Sequence, residues 1–237
     1  MIQKPTLDTH KLLSTVALSY RGWNALQPQH DDLSALYCAI VSMRSLTVLE
    51  FGCGYSTLVI QEALKENRRW FENLKEKPAV RNSNMFKCFS VDTDAAWIFE
   101  CQKYCEEGIV TFSHSPCSVT KINGQVCHTY DRIPDVVPDF IYLDGPDPSQ
   151  VLGTMNGLSW RCKERTPMAA DIVLIEPTLL PGTMILVDGR TNNARFLENN
   201  LKRNWHVEWF EDKDQTVFYL SEQRLGKVNV IGQDICQ

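Results

Sequence analysis

Short apolar runs alternate along this chain with longer segments in which apolar residues recur at helical spacing. The apolar runs fall within residues 46–51, 87–92, 109–112, 138–143 and 182–188. Such runs are typical of strands buried on both faces of a parallel sheet, and the segments between them fit crossover helices. The pattern therefore predicts an α/β fold with a doubly wound, mostly parallel sheet.

The turn after the first run is the most informative segment, VLEFGCGYSTL at 48–58. Glu50 closes the run, and Gly52 and Gly54 follow at alternate positions. Glycine tolerates a positive φ and lets a ligand approach the bare backbone, while the free N–H groups of the next helix favour an anionic group. The segment predicts a turn that binds a nucleotide-type cofactor. Its candidate cofactor-binding residues are Glu50, Gly52, Cys53, Gly54, Ser56 and Thr57.

The second run ends at Asp92, and Asp94 can cap the helix that follows. An acid in this place binds the ribose in dinucleotide folds, so Asp92 and the adjacent Thr93 are candidates for cofactor contact. Asp92 lies 42 residues after Glu50, whereas dinucleotide folds place this acid about 20 residues on. We interpret the excess, residues 66–84, as a surface insertion.

Two later runs both end in Asp-Gly, at Asp144 and at Asp188. The carboxyl ends of central strands face the crevice where open α/β sheets bind their ligands, so both carboxylates are candidates for the site. Two hairpins are also predicted. One turns at Asn123-Gly124, a strong hairpin signal, and the other spans residues 204–220 at the edge of the sheet.

In this order the features resemble class I S-adenosylmethionine-dependent methyltransferases, over residues 46–220. They comprise E-x-G-x-G at 50–54, an acid after strand two, an Asp at the end of strands four and five, and the terminal hairpin. The local segments GCGYST, VDTDAAW and DFIYLDGP are similar to the branch that methylates hydroxyls of small molecules and sugars. The resemblance implies a Rossmann-like, seven-stranded sheet ending in an antiparallel hairpin, with S-adenosylmethionine (SAM) as cofactor.

The resemblance also implies roles for single residues. The acid-bearing loop would hold the methionine end of the cofactor, Asp92 the ribose, and His114 and Ser115 would lie beside the adenine. Asp144 is the first candidate for acceptor contact or general base, and Asp188 the second. Other candidates are His114 and His128 as bases, and Arg190, Arg195 and Asp147 as acceptor-binding residues.

A divalent metal is not favoured. Catechol-type O-methyltransferases ligate magnesium with an Asp at strand four and an Asp-Asn pair at strand five, and here the second position of that pair is Gly189. Magnesium keeps many waters and needs few protein ligands, so Asp144 and Asp188 alone remain a weak alternative for a metal site.

We expect a single domain, with a helical lead-in at 1–45, a cofactor-binding part at 46–224 and a tail at 225–237. Asp31 or Asp32 can cap a helix in the lead-in. A second insertion, residues 146–166, is interpreted as a lid over the acceptor. Thr166 and Pro167 predict the start of the helix that follows it.

The composition of the chain limits the classes of molecule that the protein is expected to bind. The chain has 237 residues, a net charge of −5 and no long basic run, which argues against binding to nucleic acid. No stretch is apolar enough for a membrane span. Nine cysteines without a C-x-x-C pair favour a reduced, cytoplasmic protein. We expect a small-molecule acceptor and leave a homo-oligomer open.

Two alternatives remain at this level. One is an oxidoreductase that uses NAD or NADP, although Thr57 stands where the dinucleotide motif has its third glycine. The other is a non-catalytic cofactor-binding module on the same fold.

Overall fold

The computed structural model describes residues 5–20, 23–24, 26–166, 168–224 and 226–236. Its regular elements are α1 (Thr9–Leu13), β1 (Ser19–Tyr20), β2 (Trp23–Asn24), α2 (His30–Ser42), β3 (Thr47–Phe51), α3 (Tyr55–Glu72), β4 (Lys87–Asp92), α4 (Ala95–Gln102), β5 (Val110–His114), β6 (Cys117–Ile122), β7 (Gln125–Tyr130), β8 (Phe140–Leu143), β9 (Val151–Leu152), α5 (Asp171–Ile175), β10 (Met184–Asp188), α6 (Thr191–Asn200), β11 (Trp205–Phe210) and β12 (Gln215–Leu220).

A seven-stranded sheet forms the centre, in the order β11-β12-β10-β8-β3-β4-β5. The strands from β10 to β5 are parallel, and β12 pairs antiparallel with both β10 and β11. The predicted fold class is therefore confirmed, including the hairpin at the sheet edge. Dinucleotide folds instead use six strands in the order 3-2-1-4-5-6, so the inserted antiparallel strand sets this chain apart from them.

The two faces of the sheet bury separate apolar cores because successive side chains of a strand point to opposite sides. Val48 faces the side covered by α2 and α3, where Ile40 and Leu64 are fully buried. Phe51 and Ile141 face the side covered by α5 and α6. Glu50, two residues from Val48, shares the face of α3, and this places its carboxylate under the start of that helix.

The connection from β5 to β8 contains the hairpin β6–β7 in place of a crossover helix. Its turn is Asn123-Gly124, with φ of +50° and +82°, as expected for the two-residue hairpin turn that this dipeptide favours. β9, from the second insertion, adds to β6 as a third, parallel strand. The predicted hairpin is thus present, and it packs on the α5 and α6 side of the main sheet.

Two helix boundaries differ from their predictions. α2 begins at His30, so Asp31 and Asp32 lie in its first turn and do not cap it. The helix expected at Thr166 begins instead at Asp171, while Pro167 lies outside the described residues. The backbone at Ala169 pairs with β7 in extended conformation, and this pairing delays the helix.

Across the described ranges, no helix combines the length and the apolar character that crossing a bilayer would require.

Candidate cofactor and acceptor site

The glycine turn after β3 is held together by Glu50. This carboxylate is fully buried and accepts hydrogen bonds from Ser56 Oγ and Thr57 Oγ1, both at 2.7 Å. Thr57 Oγ1 in turn accepts from the Gly54 N–H at 3.0 Å. Burial raises the pKa of Glu50 to about 7. Because its oxygens are enclosed by the turn, Glu50 acts by shaping the loop and the start of α3.

Asp92 ties this turn to the end of β4. Its Oδ2 accepts from the Cys53 N–H at 3.0 Å, and its Oδ1 accepts from the Asp94 N–H at 2.9 Å. Asp94 then caps α4 by accepting from the N–H groups of Ala96 and Trp97. Burial raises the pKa of Asp92. The glycine turn and the acid after strand two thus lie side by side, as the resemblance implied.

The end of β8 meets the same turn through glycine. Gly52 has a φ of +90°, and a Cβ on it would lie 2.7 Å from Gly145 Cα. The Phe51 carbonyl accepts from the N–H groups of Asp144 and Gly145, at 3.1 and 2.5 Å. β3 and β8 are neighbours whose connections leave on opposite faces of the sheet, and this is where open α/β sheets bind their ligands.

A cavity of about 400 Å³ opens beside this point. The start of α3 forms one side, the ends of β8 and β10 form another, and the lead-in closes the third. The lining residues are Leu26, Gln27, Pro28, Gln29, Asp32, Leu33, Cys53, Gly54, Tyr55, Ser56, Trp97, Tyr142, Asp144, Asp188 and Gly189.

The two candidate catalytic carboxylates both line this cavity. Asp144 lines the cavity and keeps 56% of its side-chain surface open. Desolvation by the surrounding protein raises the pKa of Asp144 to about 7, against the lowering effect of Arg190. Asp188 is held from two sides, since Tyr142 OH donates to its Oδ2 at 2.5 Å and Gln215 Nε2 donates to its Oδ1 at 3.2 Å. Asp144 and Asp188, both predicted from the sequence as candidates for the site, thus line the same cavity.

Arg190 holds the loop that carries Asp144. Its Nη2 donates to the carbonyls of Asp144 and Pro146, and Nε lies 3.9 Å from Asp144 Oδ1. The side chain is 10% exposed and is not among the residues that line the cavity. Asp147 is exposed and caps the short helix Pro148–Gln150 through the Ser149 N–H at 2.8 Å. Neither Arg190 nor Asp147 therefore lines the cavity.

Thr93, His114 and Ser115 gather on the other side of Asp92. His114 Nε2 lies 3.0 Å from the Thr93 carbonyl oxygen, and the Ser115 N–H donates to the Asp92 carbonyl at 3.0 Å. These residues do not line the cavity. The predicted site residues thus form two groups, and the hydrogen bond between Cys53 and Asp92 joins them.

Other candidates lie away from the site. His128 is fully buried, with the ring of Trp160 edge-on at 5.1 Å, and burial lowers its pKa to about 3. Such a histidine stays neutral and enclosed, so it is not placed to act as a base. Arg195 lies over the Trp209 ring at 5.9 Å. The second insertion, residues 146–166, supplies no lining residue, so it is not a lid over this cavity.

Sequence reasoning missed several lining residues. Asp32 and residues 26–29 come from the lead-in, whose path over the sheet has no local signal. The sequence did contain a signal for Tyr142, because it is the one residue of the run 140–143 with a polar side-chain atom. Trp97 has the helical spacing of the apolar residues Ile98 and Cys101, yet its indole N–H donates to the Cys53 carbonyl at 2.7 Å. Partners this far apart in sequence become visible only in three dimensions.

No cluster of three or more His, Cys, Asp or Glu side chains suited to a metal ion occurs within the part of the chain that the structure describes.

No protein-family model matches the sequence. No significant match to a curated protein is found.

Several solved structures are similar in general architecture. One is the O-methyltransferase TomG from Streptomyces achromogenes, involved in tomaymycin synthesis and in complex with SAM; it is 12% identical with a TM-score of 0.45, over 90% of this chain and 86% of that chain. Another is the O-methyltransferase from Bacillus cereus in complex with SAH, 13% identical with a TM-score of 0.47, over 93% and 94%. An SAH-bound methyltransferase from Podospora anserina is 14% identical with a TM-score of 0.45, over 83% and 80%. The fold assignment itself rests on the strand order and register given above.

Proposed function

We propose that this protein is a SAM-dependent methyltransferase that transfers the methyl group to a hydroxyl of a small molecule, such as a sugar or another metabolite. The observation that carries the proposal is the hydrogen bond from the Cys53 N–H to Asp92. It holds the acid after strand two against the glycine turn, and Cys53 of that turn lines a cavity that also reaches Asp144 and Asp188.

The residues around the turn fit this cofactor. The first residues of α3 line the cavity, and a helix N-terminus favours a carboxylate such as that of the methionine end. Gly54 leaves open space where a side chain would project. Each oxygen of Asp92 accepts one backbone N–H. A carboxylate has about four acceptor positions, and the Cys53 thiol is a further donor to Asp92, so at least one position remains for a ribose hydroxyl.

The chain's own residues supply the remainder of the chemistry. Bound SAM provides a methyl group made electrophilic by its sulfonium. Asp144 and Asp188 orient the acceptor hydroxyl, and one of them takes its proton. The pKa of Asp144, about 7, suits a general base at neutral pH. Positioning provides much of the acceleration in such a reaction. Arg190 holds the loop of Asp144 in place. In this proposal Arg190 therefore does not contact the acceptor directly.

Calorimetry with SAM and with S-adenosylhomocysteine tests cofactor binding. Gly54→Val should keep the fold and lower both affinities at least about tenfold, because its side chain would occupy cavity space. Asp92→Asn should also weaken binding, and Asp147→Asn is the matched control in an exposed loop. Absence of heat with both ligands would rule the proposal out.

Transfer itself is tested with SAM labelled in its methyl group and a panel of hydroxylated sugars, phenols and alcohols. Label in an extracted product would support the proposal that this protein transfers the methyl group. Cofactor binding with no transfer to any compound favours the non-catalytic module. A thermal shift with NAD or NADP, and none with SAM, favours the oxidoreductase. A cytoplasmic location also remains part of the proposal, consistent with free thiols at the cysteines whose side chains are described.

A further inference from the structure

Trp97 occupies a fixed place in the wall of the cavity. It lies in the first turn of α4, where its backbone N–H donates to the capping carboxylate of Asp94 at 3.1 Å. Its indole N–H donates to the Cys53 carbonyl at 2.7 Å. The residue is thus held at its backbone N–H and at its indole N–H. Because its single polar side-chain atom is already bonded to the loop, what Trp97 contributes to the cavity lining is its aromatic ring.

Carboxylates line the same cavity. Asp144 and Asp188 come from the ends of β8 and β10, and Asp32 comes from the first turn of α2. A cation in this space would be attracted both by these charges and by an aromatic face, since a ring attracts a cation within about 6 Å of its centroid. SAM carries a positive sulfonium, and its demethylated product, S-adenosylhomocysteine, does not.

We propose that Trp97 is a cofactor-binding residue that recognises the positive charge of the methylated cofactor, so that the site prefers SAM to its product. This inference rests on the proposed function. The charge disappears from the cofactor when the methyl group leaves, so the contact with Trp97 weakens at that moment. Trp97 thereby favours exchange of product for fresh cofactor.

A purely structural role is the competing explanation. Trp97 also packs against a small apolar cluster that contains Leu18, Ile98 and Cys101. Loss of that packing would loosen the Cys53 turn, and it would weaken binding of charged and neutral cofactor forms by the same factor. Charge recognition affects only the charged forms. The ratio of the two affinities therefore separates the roles.

The experiment measures dissociation constants by calorimetry for three ligands: SAM, S-adenosylhomocysteine, and sinefungin, an analogue with an ammonium group near the sulfonium position. Trp97→Leu should weaken SAM and sinefungin about 5- to 30-fold more than S-adenosylhomocysteine, the range expected for a cation–π contact. Trp97→Phe keeps a ring and should retain part of the preference. Phe99→Leu is the control, because Phe99 is on the same helix but 61% exposed.

Equal losses for all three ligands, or no loss, would overturn the inference while leaving the proposed function intact. Wild-type protein that binds none of them would remove the proposed function and this inference with it. If Trp97→Leu fails to fold, fluorotryptophan incorporated throughout the chain replaces it, since fluorine weakens the π attraction with little change in shape. It should lower the preference for SAM in wild-type protein and have no effect in the Trp97→Phe background. An unchanged preference in wild-type protein would contradict the proposal.

Discussion

Gly52 and Gly145 touch through their backbones, although they belong to loops that follow different strands. A Cβ on Gly52 would lie 2.7 Å from both the Cα and the N of Gly145, closer than carbon atoms pack. The contact brings the cofactor-type turn against the loop of Asp144, and so it sets the position of a candidate base relative to the glycine turn. This close contact between Gly52 and Gly145 is possible only because neither residue has a side chain.

Gly52→Ala should therefore destabilise the fold. The new Cβ meets backbone that cannot move aside, and the φ of +90° disfavours any L side chain. We expect the free energy of unfolding, measured by urea denaturation, to fall by about 2–4 kcal/mol. Gly54→Ala is the control, since a Cβ there has no neighbour within 4 Å, and its cost should stay below about 1 kcal/mol. Similar losses in both variants would refute the steric argument.

The main sheet was predictable because each of its strands has a strong local pattern. The order of motifs gave the sheet, its terminal hairpin and the hairpin at Asn123-Gly124, whose turn residues favour φ above zero. The start of α5 was not predictable from Thr166 and Pro167, because the backbone at Ala169 pairs with β7 instead. A tertiary contact there overrides a local helix signal.

The site was predictable where its residues end strands, as at Asp92, Asp144 and Asp188, because parallel strands bring their carboxyl ends to one edge. The hydrogen-bond partners of the side chains were not predictable from the sequence. Arg190 has the residue type of an anion-binding group, but its Nη2 is engaged by two carbonyls of the Asp144 loop. Trp97 has the spacing of a helix-core residue, but it lines the cavity. Such assignments depend on contacts between distant segments.

The stability of this protein should depend on the protonation of Glu50. Burial raises its pKa from an ordinary 4.5 to about 7, so folding favours the protonated form. Between about pH 4.5 and pH 7 the folded state binds more protons than the unfolded state, and the free energy of unfolding should fall as the pH rises. Glu50 can account for a decrease of about 3 kcal/mol across this window.

Glu50→Gln tests that dependence. The variant has no charge to bury, so its unfolding free energy, measured in urea at a series of pH values, should change less between pH 4.5 and pH 7. Glu198→Gln, at an exposed position of α6, should keep the wild-type slope. A Glu50→Gln curve parallel to that of the wild type would show that other groups cause the dependence.

Two buried tyrosines should respond differently to loss of their hydroxyl. Tyr142 OH donates to Asp188 Oδ2 at 2.5 Å, whereas Tyr130 OH has no hydrogen-bond partner among the described residues. Tyr142→Phe leaves a carboxylate oxygen without its donor and should cost about 1–3 kcal/mol of unfolding free energy. Tyr130→Phe removes a buried hydroxyl that has no partner and should leave the unfolding free energy unchanged or raise it. Thermal or urea unfolding of both variants checks the contrast, and a larger loss in Tyr130→Phe would contradict it.

Asp144 should set the pH dependence of methyl transfer. A base must be deprotonated to accept the hydroxyl proton, and the pKa of Asp144 is about 7. With an acceptor from the labelled-methyl screen, the turnover rate should rise with pH and reach half its maximum near pH 7. Asp144→Asn should lower turnover by about 10²- to 10⁴-fold and remove this rise, while the affinity for S-adenosylhomocysteine stays within about threefold because Asp144 acts on the acceptor. Asp147→Asn, in the same loop but outside the cavity lining, should keep the wild-type profile. If Asp144→Asn retains both turnover and pH profile, the proton goes elsewhere, and Asp188→Asn becomes the variant to measure, since its carboxylate lines the same cavity.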